Sequence, residues 1–264
     1  MSQSDRTVLC MKWGTLFPPD YVNVLYNACH TAITGPFRFV CLTDDGAGLD
    51  DGIDVLPIPD IGLTEAEWFT PGVWPKLSLY VPQLHDIRGR CLFIDLDMVV
   101  LGGLDEMFDH SAPFIGIGVG PGWHPGAKET HPRHLGTGIF AFEAGAHVNV
   151  LEAFQHDKSA ARASFANEQD FVLGHVEDVQ YWEPGWVLSF KRYLRRPMLV
   201  DLVLPPKSPP ATAKVVAFHG DPRPIDLISD RAGFWDKFPH MGHGPVGWVC
   251  DYWVKNGGRI PPFE

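Results

Sequence analysis

Cysteine is scarce in this 264-residue chain: Cys10, Cys29, Cys41, Cys91 and Cys250 form an odd, scattered set. The first four lie in apolar runs, which predicts free core thiols and a reducing compartment rather than a disulfide framework. Basic residues are also few, with 21 Lys and Arg against 32 Asp and Glu and a formal net charge of -11. That balance argues against a nucleic-acid-binding surface, so an anionic ligand needs local help from a metal or a few basic side chains. No apolar stretch approaches the ~20 residues of a membrane span. The leading Met1-Ser2-Gln3-Ser4-Asp5-Arg6 lacks a basic and then apolar signal pattern. The expectation is a soluble, cytoplasmic protein without a transmembrane segment. Peripheral membrane contact and oligomeric state stay open. Internal repeats, heptads and a convincing linker are missing too, Pro205 to Pro210 being the most linker-like stretch, so one domain over 1–264 is expected.

What is present is an alternation of short apolar runs and helical stripes. Thr7 to Trp13 reads as a buried strand, and Asp20 to Ile33 as a helix with its stripe at Val22, Leu25, Tyr26, Cys29 and Ile33. Phe37 to Leu42 is a second strand, stopped by the turn-rich Thr43-Asp44-Asp45-Gly46, and Val55 to Ile58 a third. Pro75 to Leu84 is the next helix candidate. Strands follow at Phe114 to Val119, Ile139 to Phe142 and Val215 to Phe218, and helices at His147 to His156 and Asn167 to His175, with Asn167 as the cap. Gly120 to Gly136 reads as a long Gly-, Pro- and His-rich connector. Such alternation predicts an α/β fold with a mostly parallel central sheet flanked by helices.

The most informative segment is Phe93-Ile94-Asp95-Leu96-Asp97-Met98-Val99-Val100. It sets two carboxylates one residue apart in an apolar, strand-like run, where a charge is costly to bury without a partner. On one strand both would point the same way, roughly 6 to 7 Å apart, with room for a divalent cation between them. The alternative is a strand end whose aspartates cap a helix or face water. In open parallel sheets ligands bind beyond the carboxyl ends of the strands. That edge would collect Lys12-Trp13-Gly14-Thr15, Thr43-Asp44-Asp45, Asp95 with Asp97, and His219-Gly220-Asp221. Paired carboxylates suit a hard cation, and adding His219 favours manganese over calcium.

Four elements in order resemble a known family. Asp95-Leu96-Asp97, with Val99, Val100, Gly102 and Leu104 after it, looks like the DxD motif of GT-A glycosyltransferases, particularly glycosyltransferase family 8. Gly136-Thr137-Gly138 resembles that family's Asn-Ser-Gly segment, Glu168-Gln169-Asp170 its Asp-Gln-Asp element, and Phe218-His219-Gly220 its C-terminal His-Gly. Lys76 stands where the family has a basic residue before the DxD strand.

The resemblance implies a GT-A fold and a nucleotide-sugar donor, a UDP-sugar above all, with a saccharide or glycoconjugate acceptor, glycan or lipid-linked. It further implies retention of anomeric configuration, and manganese or magnesium held by Asp95, Asp97 and His219. Lys12, Trp13, Gly14, Thr43 and Asp44 would meet the nucleoside, while Lys76, Gly138, Gly220 and Arg223 would lie along the donor. Glu168 or Asp170 would contact the acceptor or the reacting sugar. Lysine for arginine at 76, threonine for serine at 137 and glutamate for aspartate at 168 depart from the family's pattern, and the lysine forgoes a bidentate phosphate grip.

Each residue also has a plainer reading. Asp44 suits a turn, Lys76 a solvated helix face, Arg223 a surface ion pair, and Glu168 the start of a helix, where its charge complements the dipole. Glu67, Trp68, Phe69, Trp74 and Trp123 suggest either a sugar platform or core packing. His124, His131 and His134 read as loop histidines, since no Cys or carboxylate completes a site with them. Lys191-Arg192 and Arg195-Arg196 read as the solvated face of a helix. The main rival function is a haloacid-dehalogenase-like, magnesium-dependent phosphohydrolase with Asp95 as nucleophile and Asp97 as general acid/base. A non-catalytic nucleotide-sugar-binding relic is the other.

Overall fold

The computed structural model describes residues 6–120, 134–229, 234–238 and 240–260. β1 (Arg6–Lys12), β2 (Arg38–Thr43), β3 (Asp54–Leu56) and β4 (Arg90–Ile94) pair in parallel, with Leu9 opposite Val40 on one side and Phe93 on the other. β1, β2 and β4 are near-continuous apolar runs because helices cover both of their faces. β5 (Met98–Val100), β6 (Phe114–Val119), β7 (His134–Glu143), β8 (Gln180–Tyr181), β9 (Val187–Ser189) and β10 (Val215–Ala217) are the other strands among the described residues. They form a seven-stranded sheet, in the order β3-β2-β1-β4-β7-β6-β8, and a three-stranded sheet, β5-β10-β9. In the large sheet only the two pairings made by β7 are antiparallel.

Period-two alternation divides the core. Val8, Cys10, Leu92 and Ile94 face one layer with Tyr21, Val22, Leu25 and Cys29 of α1 (Pro19–Ala32). Leu9, Met11, Cys91 and Phe93 face the other. After α2 (Glu65–Trp68) and α3 (Asp105–Phe108) come α4 (Val148–His156), α5 (Lys158–Ser164) and α6 (Glu168–His175). α4 and α6 cover this second layer, where Trp74 stacks on Phe154 at 5.4 Å and Phe171 meets it edge-on. α7 (Pro224–Ile228) and α8 (Gly247–Lys255) close the first layer. All five cysteines are free thiols, four of them buried. Among the described residues no helix is long and apolar enough to cross a membrane.

Four expectations are corrected. The octapeptide 93–100 is not one strand: β4 ends at Ile94, a turn holds Asp95 to Asp97, and β5 leaves for the small sheet. The turn is pinned because Asp95 N–H donates to Gly138 O at 2.8 Å, Met98 N–H to Asp95 O at 3.1 Å and Phe218 N–H to Asp97 O at 3.2 Å. The helix expected over 75–84 is a 3-10 helix over Trp74–Tyr80, entered through a left-handed Val73 with φ 58°. β7 begins at His134, so the end of the expected connector 120–136 is strand, while 121–133, with Trp123, His124 and His131, lie outside the described residues. The basic cluster 191–196 falls on one turn of π-helix, Phe190–Leu194, and its exit. Arg195 there is buried rather than solvated, paired with Asp201 and Asp236.

Candidate functional site

A cleft of about 440 Å³ opens where the Asp95 turn, the β7 backbone, the start of α6 and the end of β10 converge. Its volume suits a small-molecule site. Lys76, Asp95, Asp97, Gly138, Glu168, Asp170 and His219, all singled out in the sequence, line it.

Lys76 sits at its floor, 3% exposed. The 3-10 helix aims its ammonium at Asp95 Oδ2 (3.0 Å), Thr137 O (2.8 Å) and Glu168 Oε1 (3.4 Å), and over the Phe93 ring. Burial alone would push its pKa down, yet Asp95 and Glu168 carry it above the ordinary lysine value. Lys76 is therefore a buried, bonded charge rather than a solvated one. Glu168 is as deeply buried; its Oε1 accepts the Thr137 hydroxyl, and its N–H donates to Gly72 O at 2.9 Å. Asn167 caps α6 by accepting from Asp170 N–H at 2.9 Å, which aims Glu168, Gln169 and Asp170 at the cleft, and Gln169 Oε1 accepts from Thr137 N–H.

Two carboxylates, Asp95 and Glu168, thus share one ammonium, and Asp97 stands beside them without a direct bond to it. Burial, opposed by Lys76, raises Asp95 and Glu168 above the ordinary carboxylate range. Asp97 is pushed up to about 8, by burial first and the neighbouring Asp95 second, with Lys76 and Arg223 opposing. A divalent cation at Asp95 and Asp97 would relieve this crowding and hold both as hard, ionised oxygen donors. His219 lines the same cleft, but its Nε2 shares a 2.7 Å hydrogen bond with Ser189 Oγ. Burial, then Lys191 and Arg192, lowers its pKa to about 4, so the ring is neutral at pH 7. Among the described residues no three His, Cys, Asp or Glu side chains stand together as a metal-binding group, so the expected Asp95, Asp97 and His219 triad is not closed.

The other sequence candidates lie outside the cleft lining. Lys12 Nζ donates to Asp45 O at 3.0 Å, Thr43 Oγ1 donates to the same oxygen, and Asp44 Oδ2 accepts Gly14 N–H at 2.9 Å. Gly14 takes φ 61°, and a side chain there would press on Phe69. Trp13 packs beside these residues against the second core layer. Together they tie the ends of β1 and β2 to one another. Gly220 adopts φ 73° near Lys191 Nζ. Arg223 lies 3.9 Å from Asp221 and over the Phe17 ring, within electrostatic reach of Asp97. Trp74 is core. Arg192, read from the sequence as a solvated charge, lines the cleft, and Lys191 Nζ donates to His219 O at 2.8 Å. The sequence marked the two only as part of a basic cluster on a solvated helix face; the π-turn, capped by Ser189, brings them to the site.

No family model matches the sequence, and a comparison with curated proteins finds no match. Solved structures do match. The galactosyltransferase LgtC, in complex with donor and acceptor sugar analogs, superposes with a TM-score of 0.57 at 12% identity, over 95% of this chain and 94% of that one. The bifunctional glycosyltransferase WbbM gives 0.58 at 12% identity, over 95% of this chain and 49% of that one. GlyE of Streptococcus pneumoniae TIGR4, also a glycosyltransferase, gives 0.53 at 12% identity, over 97% and 62%.

The fold is GT-A. At 12% identity the likeness is one of architecture, and what the cleft does is argued from its own residues. In this chain the Asp95 turn stands after the fourth strand of the sequence and at the centre of the sheet order. The phosphohydrolase motif belongs on the first strand of its domain, so that rival is not favoured.

Proposed function

We propose that the chain is a metal-dependent glycosyltransferase that moves a sugar from a nucleotide-sugar, a UDP-sugar, to a saccharide or glycoconjugate acceptor. The observation that carries this reading is the convergence of Asp95, Asp97, Lys76 and Glu168 in one cleft of a GT-A fold. Asp95 and Asp97 are the residues to hold manganese or magnesium, with His219 as the third candidate. A divalent cation there neutralises the charge that develops on a leaving diphosphate. Lys76 keeps its proton and holds Asp95 and Glu168 in place. Glu168 is fixed further by Thr137, and Asp170 presents a second carboxylate to the reacting sugar or acceptor. Lys12, Trp13, Gly14, Thr43 and Asp44, at the ends of β1 and β2, are proposed to meet the nucleoside, with Gly138, Gly220 and Arg223 along the diphosphate. Retention of anomeric configuration rests on the family-8 resemblance alone, and the reducing compartment on the free thiols.

A thermal-shift screen of nucleotide-sugars with and without manganese tests this, because a ligand bound to the native state alone raises Tm. The expected result is a shift confined to nucleotide-sugars plus metal, with manganese-dependent nucleotide release by wild type and loss of release by at least ~100-fold in Asp97→Ala. Binding without turnover would identify a nucleotide-sugar-binding relic instead. Metal-dependent release of phosphate from a phosphomonoester, without nucleotide binding, would restore the phosphohydrolase.

A further inference from the structure

The chain carries a net charge of -11, yet the stretch 190–210 holds five basic residues and one acid. That acid, Asp201, and its partner Arg195 are both buried, so the surface of the stretch carries four basic side chains and no acid. On the same stretch Met198, Leu199, Val200, Val203 and Leu204 are 38 to 79% exposed. Large apolar side chains clustered in the open on a soluble-sized domain mark an interaction surface.

The exposure is built into the loop. Leu199 takes a left-handed φ of 65° at the entry to the 3-10 turn Val200–Leu202. Val203 and Leu204 N–H donate to Val200 O at 3.1 and 2.9 Å, Lys207 N–H to Leu194 O at 2.8 Å and Arg196 Nε to Pro205 O at 3.0 Å. Beneath it, Arg195 joins Asp201 to Asp236, and His243 Nε2 meets Leu202 O at 2.7 Å. The strap residues 234–238 and 240–243 are tied to the loop by these contacts, and they expose Phe238 at 77% and Phe234 at 54%. On the stretch the basic side chains that are not buried are Lys191, Arg192, Arg196 and Lys207, and the strap adds Lys237 beside Asp236, whose charge is paired with Arg195.

We propose that this loop and strap dock on a membrane surface that carries anionic phospholipid. Apolar side chains entering the acyl boundary and a basic rim against anionic headgroups are the two contributions such docking requires, and either alone is weak. Charge complementarity selects this occupant: a second copy would bring its own like-charged rim against the first. Arg192 belongs both to this rim and to the cleft lining, so docking would hold the cleft close to the bilayer. The inference stands whether or not the cleft transfers sugar.

Co-sedimentation of the full chain with vesicles tests it, using phosphatidylcholine alone or mixed with phosphatidylglycerol. The expected result is pelleting with the anionic vesicles and little with the neutral ones, reduced by salt. Val203→Asp, at a site 79% exposed and so tolerant of change, is expected to weaken binding about tenfold. Lys207→Glu is expected to weaken it about fivefold, with unchanged melting for both variants. Equal pelleting of wild type and Val203→Asp, or no pelleting on anionic vesicles, would overturn the proposal. A dimer in light scattering that Val203→Asp dissociates would assign the surface to a second copy instead.

Discussion

Lys76 Nζ lies 3.0 Å from Asp95 Oδ2 while also facing Glu168 at 3.4 Å, so one buried ammonium serves two carboxylates on different elements of the cleft. The first is on the turn after β4, the second on the first turn of α6.

Replacing Lys76 with Met leaves both carboxylates in a low-dielectric site without their cation. Breaking a buried pair from one side is costly; Asp95, at 34% side-chain exposure, can recover some hydration whereas Glu168 cannot, so a loss of about 3 kcal/mol is expected in urea unfolding. Adding Glu168→Gln to Lys76→Met should restore part of that loss, since it removes the charge left uncompensated. Strict additivity of the two changes would contradict the shared-ammonium arrangement.

A methyl group on Gly138 would collide with the end of the Met98 side chain, at the place where Gly138 O holds the Asp95 N–H. Met98 is flexible and can give way, so Gly138→Ala should cost only about 1 kcal/mol of stability. Its displaced side chain intrudes on the cleft that both residues line, and titration of nucleotide-sugar with manganese should show at least ~10-fold weaker binding. A large drop in Tm with unchanged affinity would show that the glycine serves packing alone.

Acid sensitivity should appear at Glu67. The Thr64 backbone N–H, the Arg162 guanidinium and the Thr64 hydroxyl together lower its pKa from 4.5 to about 2. Because the folded pKa is the lower one, the interaction contributes fully above about pH 4.5 and disappears as the pH falls towards 2. Melting curves of wild type and Glu67→Gln should differ near neutrality, with wild type higher, and converge in strong acid. A constant gap across that range would mean that the carboxylate charge is irrelevant.

Much of the fold was legible because its signals are local. β1, α1, β2 and β6 announce themselves as apolar runs or stripes between turn residues, and Asn167 as a cap identifies the start of α6. The division of 93–100 was not legible, because the same apolar letters continue through it. The strand breaks only where Gly138 captures Asp95 and where Val99 finds Val216, both distant in sequence. Arg195 reads as a surface charge until Asp201 and Asp236 enclose it. Within the site, the DxD-like pair and its cleft partners were readable as residue types, whereas the sharing of Lys76 and the hydrogen bond between His219 and Ser189 exist only in three dimensions.

The break in that octapeptide leaves the carboxylates on a seam. Asp95 follows a strand of the large sheet, whereas Asp97 leads into β5 and His219 follows β10 of the small one. A ligand gripped from both sides would staple two independently paired β-layers together, and its arrival should raise the amide-exchange protection of Met98–Val100 and Val215–Ala217, a backbone reporter of occupancy that needs no knowledge of what the ligand is.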